Sequence, residues 1–124
     1  MKNKGFVPEI QGVDSQLYSK EYFESIDGAQ YFSEDRTAPK FIYAVKISGL
    51  TQGESALDIG CGRGDLMMAL AERGADVTGI DYSKDALEIA QKAIDKQPVE
   101  KKNKLKVLHS NATGLTFSDQ TFDY

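Results

Sequence analysis

The chain has 124 residues, room for one small domain rather than two. Its 15 Lys and Arg against 19 Asp and Glu give a formal charge of −4, so no basic surface points to nucleic acid, and 40% apolar residues argue against disorder. No apolar run reaches membrane-span length, no apolar block follows Met1-Lys2-Asn3-Lys4 as in a signal peptide, and the single Cys61 cannot form an internal disulfide, so a cytoplasmic setting is expected.

Residues Met1 to about Gln16 are polar and read as an arm without an element of its own. Ser19 to about Ile26 suits a short helix capped by Ser19, with Tyr22, Phe23 and Ile26 on one face. Asp27-Gly28 breaks it. A stronger helix is predicted from about Thr37 to Ser48, with Pro39 in its first turn and Gly49 at its end. Ser55–Ile59 reads as a strand, Asp65–Arg73 as a helix closed by Gly74, and Ala75–Ile80 as a second strand. Ser83 caps a helix from Lys84 to about Lys96, which Pro98 prevents from continuing. Lys101-Lys102-Asn103-Lys104 reads as a solvated loop, Lys104–His109 as a third strand, and Phe122-Asp123-Tyr124 as the start of a fourth. This alternation implies an α/β domain with a parallel sheet and right-handed crossovers.

The informative stretch is Asp58-Ile59-Gly60-Cys61-Gly62-Arg63-Gly64-Asp65, a strand, a glycine turn and a helix start. Glycines allow backbone angles closed to other residues and let a ligand approach the main chain. A helix N-terminus offers N–H groups and partial positive charge to an anionic group. Dinucleotide-binding enzymes space these glycines G-x-G-x-x-G, but here the order is G-x-G-x-G and Asp65 stands at the sixth position. That departure counts against an NAD(P)-dependent oxidoreductase, which stays as an alternative beside a non-catalytic nucleotide-binding or interaction module. At the end of the second strand, Asp81 can accept hydrogen bonds from the two hydroxyls of a ribose. After the third strand, Asn111 offers a carbonyl oxygen to an adenine amino group.

Together, Leu57 to Gly64, Gly79-Ile80-Asp81-Tyr82-Ser83 and Asn111-Ala112-Thr113 with the run Phe117–Tyr124 resemble the class I S-adenosylmethionine-dependent methyltransferases. The resemblance covers about Leu50 to Tyr124. It implies a Rossmann-like parallel sheet and S-adenosylmethionine as cofactor, with S-adenosylhomocysteine as product. It further implies that Asp58, Gly60, Cys61 and Gly62 meet the methionine portion, Cys61 through its backbone. Asp81 would hold the ribose, Tyr82 would pack on the adenine, and Asn111 and Ala112 would read its edge. Asn111 departs from the Asp usual there, adding a donor beside the acceptor. Members commonly lay an aromatic-bearing helix over the cofactor, for which Tyr22, Tyr31 and Phe32 are candidates, since aromatic faces attract a sulfonium.

The chain is read as an arm with a short helix, 1–36, and an incomplete cofactor-binding α/β domain, 37–124, which is expected to stop at the start of strand 4. Acceptor-binding and catalytic residues of the family lie mostly beyond strand 4. The expectation is therefore a cofactor-binding portion, inactive alone, whose full-length protein methylates a small molecule. A homodimer through an exposed sheet edge or a swapped N-terminal segment is expected as well. His109 is read as packing or capping rather than as a base. One Cys, one His and scattered carboxylates make no metal set.

Overall fold

The computed structural model describes residues 14–25 and 39–124. In chain order these form a 3-10 turn (Ser15–Tyr18), α1 (Lys20–Ser25), α2 (Pro39–Ser48), β1 (Ser55–Ile59), α3 (Asp65–Glu72), β2 (Asp76–Asp81), α4 (Lys84–Asp95), α5 (Val99–Lys102) and β3 (Leu105–His109). The expected strands and main helices lie within about a residue of their predicted bounds. Tyr31, Phe32, Thr37 and the boundary between arm and domain lie outside the described residues.

The three strands are parallel in the order β1-β2-β3, with β2 in the middle. Their register puts Ala56, Val77 and Leu105 in one cross-strand row, all buried in the hydrophobic core. Met67 of α3 and Ile94 of α4 pack into the same core, as do Val45 of α2 and Leu50 behind it. Met67 is fully buried, and removing such a side chain from water contributes about 2 kcal/mol. α4 shows why the sequence folds this way. Ala86, Leu87, Ala90 and Ile94 are its buried residues, at helical spacing, and the Ser83 hydroxyl accepts from the Ala86 amide as an N-cap.

Two elements depart from the sequence reading. Ser15 and Gln16, read as the end of the arm, lie in the 3-10 turn, where the Asp14 carboxylate accepts from the Gln16 amide. The basic stretch is not a plain loop, because Val99–Lys102 forms a helical turn after Pro98, whose carbonyl accepts from the Lys101 and Lys102 amides. Its lysines are paired: Lys101 with Glu72, Lys102 with Asp95 at 3.1 Å, and nearby Lys104 with Asp76 at 3.5 Å. The chain end runs beside β1 as a nascent parallel strand. Tyr124 donates to the Ser55 carbonyl at 3.1 Å and accepts from the Leu57 amide at 3.0 Å. The Asp123 carboxylate accepts from the Ser55 amide at 2.8 Å and hydroxyl at 2.9 Å, and these bonds hold it below the usual carboxylate range.

Candidate cofactor-binding site

The glycine turn follows β1 directly. Gly60, Gly62 and Gly64 have φ of 77°, 53° and 85°, a left-handed path that side chains rarely follow. The turn is anchored to β2, since the Gly60 and Cys61 amides both donate to the Ile80 carbonyl, at 2.8 and 2.9 Å. Gly64 ends it, donating to the Cys61 carbonyl at 2.9 Å, and α3 begins at the next residue.

Asp81 closes the other side. The residue is buried, 7% exposed. Oδ2 accepts from the Gly62 amide at 2.9 Å and Oδ1 from the Ser83 amide at 2.8 Å. The sequence reading brought these two loops together with the amides open to a ligand. The structure brings them closer, and the Gly62 amide is already engaged. A buried carboxylate beside a glycine turn takes the nearest backbone donor, because an unpartnered charge there is costly. Each oxygen carries one backbone donor and keeps one lone pair. The carboxylate is thereby fixed in orientation and can accept two further hydrogen bonds, the demand of a vicinal diol.

Asp58 sits at the end of β1 opposite Gly79. Burial, and next the charge of Asp81, push its pKa up to about 6. The described residues form no hydrogen bond to its carboxyl. A carboxyl so placed gains most from a cationic partner. Cys61 is buried and, chiefly through burial, pushed up to about 12, so its thiol stays protonated and is no nucleophile. Both its backbone groups serve the turn, the amide toward Ile80 and the carbonyl toward Gly64.

Tyr82 is half-buried, and its ring meets Tyr18 edge-on at 5.7 Å. His109 places Nε2 at 2.9 Å from the Tyr82 carbonyl. That nitrogen therefore carries the proton, and the ring braces the loop. Asn111 and Ala112 are exposed. Asn111 Oδ1 accepts from the amide and the hydroxyl of Thr113, both at 3.0 Å, so the oxygen expected to face an adenine here shapes the turn around Ala112.

Three residues that the sequence reading left out belong to the site. Phe23 lies over the glycine turn, and an ideal Cβ on Gly62 would stand 3.5 Å from its Cε1. Tyr18 joins Tyr22, Phe23 and Tyr82 in one aromatic cluster. Arg63 links the turn to α1 through the Phe23 carbonyl. The spacing of Tyr18, Tyr22 and Phe23 could have suggested a shared face, but not which loop it meets. An open cleft of about 430 Å³ lies beside Tyr82, lined by Gln16, Ser19, Ser83, Lys84, Asp85 and His109 as well. Its lining includes neither the glycine turn nor Asn111, so hydrogen-bond geometry, not that cleft, defines the site. Among the described residues no group of three or more His, Cys, Asp or Glu could hold a metal ion, and no helix is long and apolar enough to cross a membrane.

A family model described as a methyltransferase domain matches residues 56–124. Demethylmenaquinone methyltransferase of Bacillus licheniformis is 36% identical over 83 residues, covering 64% of this chain and 34% of that protein. The chain thus spans about a third of that relative's length. A SAM-dependent methyltransferase from Methanosarcina mazei is 34% identical with a TM-score of 0.56, over 65% of this chain and 39% of that one. The CcbJ methyltransferase from Streptomyces caelestis shares the fold at 19% identity with a TM-score of 0.69, over 89% of this chain and 43% of its own. With its family match running from β1 to Tyr124, the chain belongs to the methyltransferase-domain family.

Proposed function

We propose that this chain binds S-adenosylmethionine between the β1 and β2 loops, as the cofactor-binding portion of a methyltransferase that acts on a small molecule. The observation that carries this reading is Asp81, a buried carboxylate with one backbone donor on each oxygen and one acceptor direction left on each. In it, Asp81 takes the ribose hydroxyls and Asp58 balances the positive charge of the methionine end. Tyr82 and the Ala112 backbone bound the adenine, with Asn111 holding that turn in shape. Gly60, Cys61 and Gly62 supply a close main-chain wall, two of their three amides fixed by Ile80. The cofactor brings an activated methyl on a good leaving group, so the protein's task is placement of the reacting partners.

The name of the Bacillus licheniformis relative, demethylmenaquinone methyltransferase, supports a small-molecule acceptor. The cytoplasmic setting, the division at residue 36 and the homodimer belong to the same proposal. The chain end already occupies the Ser55 and Leu57 stretch of the β1 edge, and the end at Ile59, 51% exposed, supports pairing there. A monomer in sedimentation at high concentration would refute the dimer alone.

Calorimetry with S-adenosylhomocysteine tests the cofactor. Saturable binding is expected in the parent, with affinity falling about 100-fold in Asp81→Ala, in line with loss of charge-assisted hydrogen bonds of about 1.5–3 kcal/mol. Binding of NADH in its place, or an Asp81→Ala variant that binds like the parent, sinks the reading.

A further inference from the structure

The aromatic cluster is carried by α1, whose six residues are too few for a helix to hold by itself in water. Both ends of α1 are gripped from outside. The Lys20 amide, in its first turn, donates to Asp85 Oδ2 at 3.0 Å. Near its other end, the Phe23 carbonyl accepts from Arg63 Nη1 at 3.0 Å. Arg63 belongs to the glycine turn, and Asp85 to the first turn of α4, four residues past Asp81. The glycine turn and the start of α4, which follows the β2 loop, therefore each hold one end of the same short helix. A third tie, from the Ser83 hydroxyl to the Tyr18 carbonyl at 2.7 Å, fixes the entry to α1.

The signs are matched as well. A carboxylate meets the amino end of α1 and a guanidinium its carboxyl end, the polarity that a helix dipole favours. The two grips differ in strength. The Arg63 side chain is 11% exposed and also pairs with Asp65 at 3.3 Å, whereas the Asp85 bond is exposed. A charge-assisted bond screened from water is the stronger of the two.

We propose that Arg63 and Asp85 are positioning residues that clamp α1 across the groove, so that filling the groove and ordering α1 are thermodynamically linked. Both act through α1 rather than on the cofactor. The linkage rests on the reading that the groove takes S-adenosylmethionine, while the clamp itself does not. A ligand that fixes both loops fixes the distance between the two grips, and by reciprocity an ordered α1 tightens the ligand.

Amide hydrogen exchange at Phe23 reads the clamp, because its N–H donates to the Ser19 carbonyl at 3.2 Å within this segment. Without ligand, Arg63→Leu is expected to speed Phe23 exchange about tenfold and Asp85→Ala, the weaker grip, about threefold, leaving the β2 amides unchanged. Asp85→Asn should stay near the parent, because its amide oxygen accepts the same bond although the charge is gone. If Asp85→Asn exchanges as fast as Asp85→Ala, the residue acts by charge on α4 and the clamp is wrong. Parent-like Phe23 exchange in both Arg63→Leu and Asp85→Ala overturns it too. Should Arg63→Leu expose the β2 amides as well, the Asp85 pair decides alone. With S-adenosylhomocysteine, Phe23 protection should rise in the parent, and Arg63→Leu and Asp85→Ala should bind about fivefold more weakly. Equal binding by parent and both variants overturns the linkage. Failure of the parent itself to bind overturns the groove reading and the linkage with it, while the ligand-free comparison still judges the clamp.

Discussion

The loops after β1 and β2 differ from the loop after β3 in where their hydrogen bonds go. The first two are bonded to each other or to a neighbouring strand: Gly60 and Cys61 to Ile80, and Gly62 to Asp81. The third bonds largely to itself, with Asn111 and Thr113 two residues apart and the Gly114 amide on the Asn111 carbonyl at 3.1 Å. It is tied to β2 through the Ser110 amide, which donates to the Asp81 carbonyl at 3.0 Å. All three stand at the carboxyl ends of adjacent parallel strands, where ligands of such sheets bind. The first two loops are thus fixed against each other, and the third is a local turn open to solvent. Long-range bonds in a partly buried setting resist rearrangement, whereas exposed local ones exchange readily with water.

The largest expected effect comes from breaking the packing behind the first two loops. Gly79 lies in β2, opposite Asp58 on one side and Val107 on the other. A Cβ there would overlap the Met67 sulfur and stand 2.8 Å from Cys61 Cβ and Sγ. Met67 is fully buried, and the Cys61 Cβ is fixed by its own backbone and cannot turn aside. Gly79→Ala is therefore expected to cost about 3 kcal/mol or more in urea unfolding. The same change at Gly114, beyond β3, meets no atom within 4 Å and should stay within about 0.5 kcal/mol. Equal costs at the two positions would erase the contrast between the regions.

Asp58 gives the next effect, and its sign follows from proton binding. Its ordinary pKa of 3.8 is raised to about 6 by burial and by Asp81. Between those values the folded protein holds more protons than the unfolded chain, so stability falls as pH rises through the window. Above about pH 6 the ionised, half-buried carboxylate leaves a constant penalty, on the order of 2–3 kcal/mol at 1.36 kcal/mol per unit. Asp58→Asn should thus stabilise the ligand-free protein at pH 8 by about that amount, and by nothing below pH 4. Denaturant titrations of both proteins at pH 4, 6 and 8 check this. The same variant should bind S-adenosylhomocysteine more weakly, since it lacks the charge assigned to the ligand's ammonium. A gain that is flat with pH would show that Asp58 carries no such strain.

How far the sequence was legible follows from the range of the contacts. The β1–glycine turn–α3 unit and the α4 cap at Ser83 are local patterns, and each lies where its residues put it. Asp81 was legible as a carboxylate at a strand end. Its bond to the Gly62 amide was not, because residue types say that two loops converge but not which donor finds which acceptor. The helical turn at Val99–Lys102 was not legible for a similar reason. Its lysines are held by Glu72 and Asp95, and the Glu72 partner lies 29 residues earlier. Arg63 reaches Phe23 across 40 positions and Ser83 reaches Tyr18 across 65, distances over which periodicity and capping rules carry no information.

Asn111 supplies the smallest effect and the sharpest form of the comparison. Its side-chain oxygen holds two bonds, both to Thr113, and the residue is exposed. Water replaces both bonds when the side chain is cut back, so Asn111→Ala should cost only about 0.5 kcal/mol of stability. Its effect on S-adenosylhomocysteine should be about threefold, through a looser turn around Ala112, against the much larger loss at Asp81. Asn111→Asp keeps an acceptor for both Thr113 bonds and should bind at least as well as the parent. Calorimetry on the pair separates shaping from direct reading. If Asn111→Ala loses as much affinity as Asp81→Ala, then Asn111 gives up its turn to grip the ligand directly. The adenine end would then depend on specific contacts as strongly as the ribose end, although only the ribose end is built in advance.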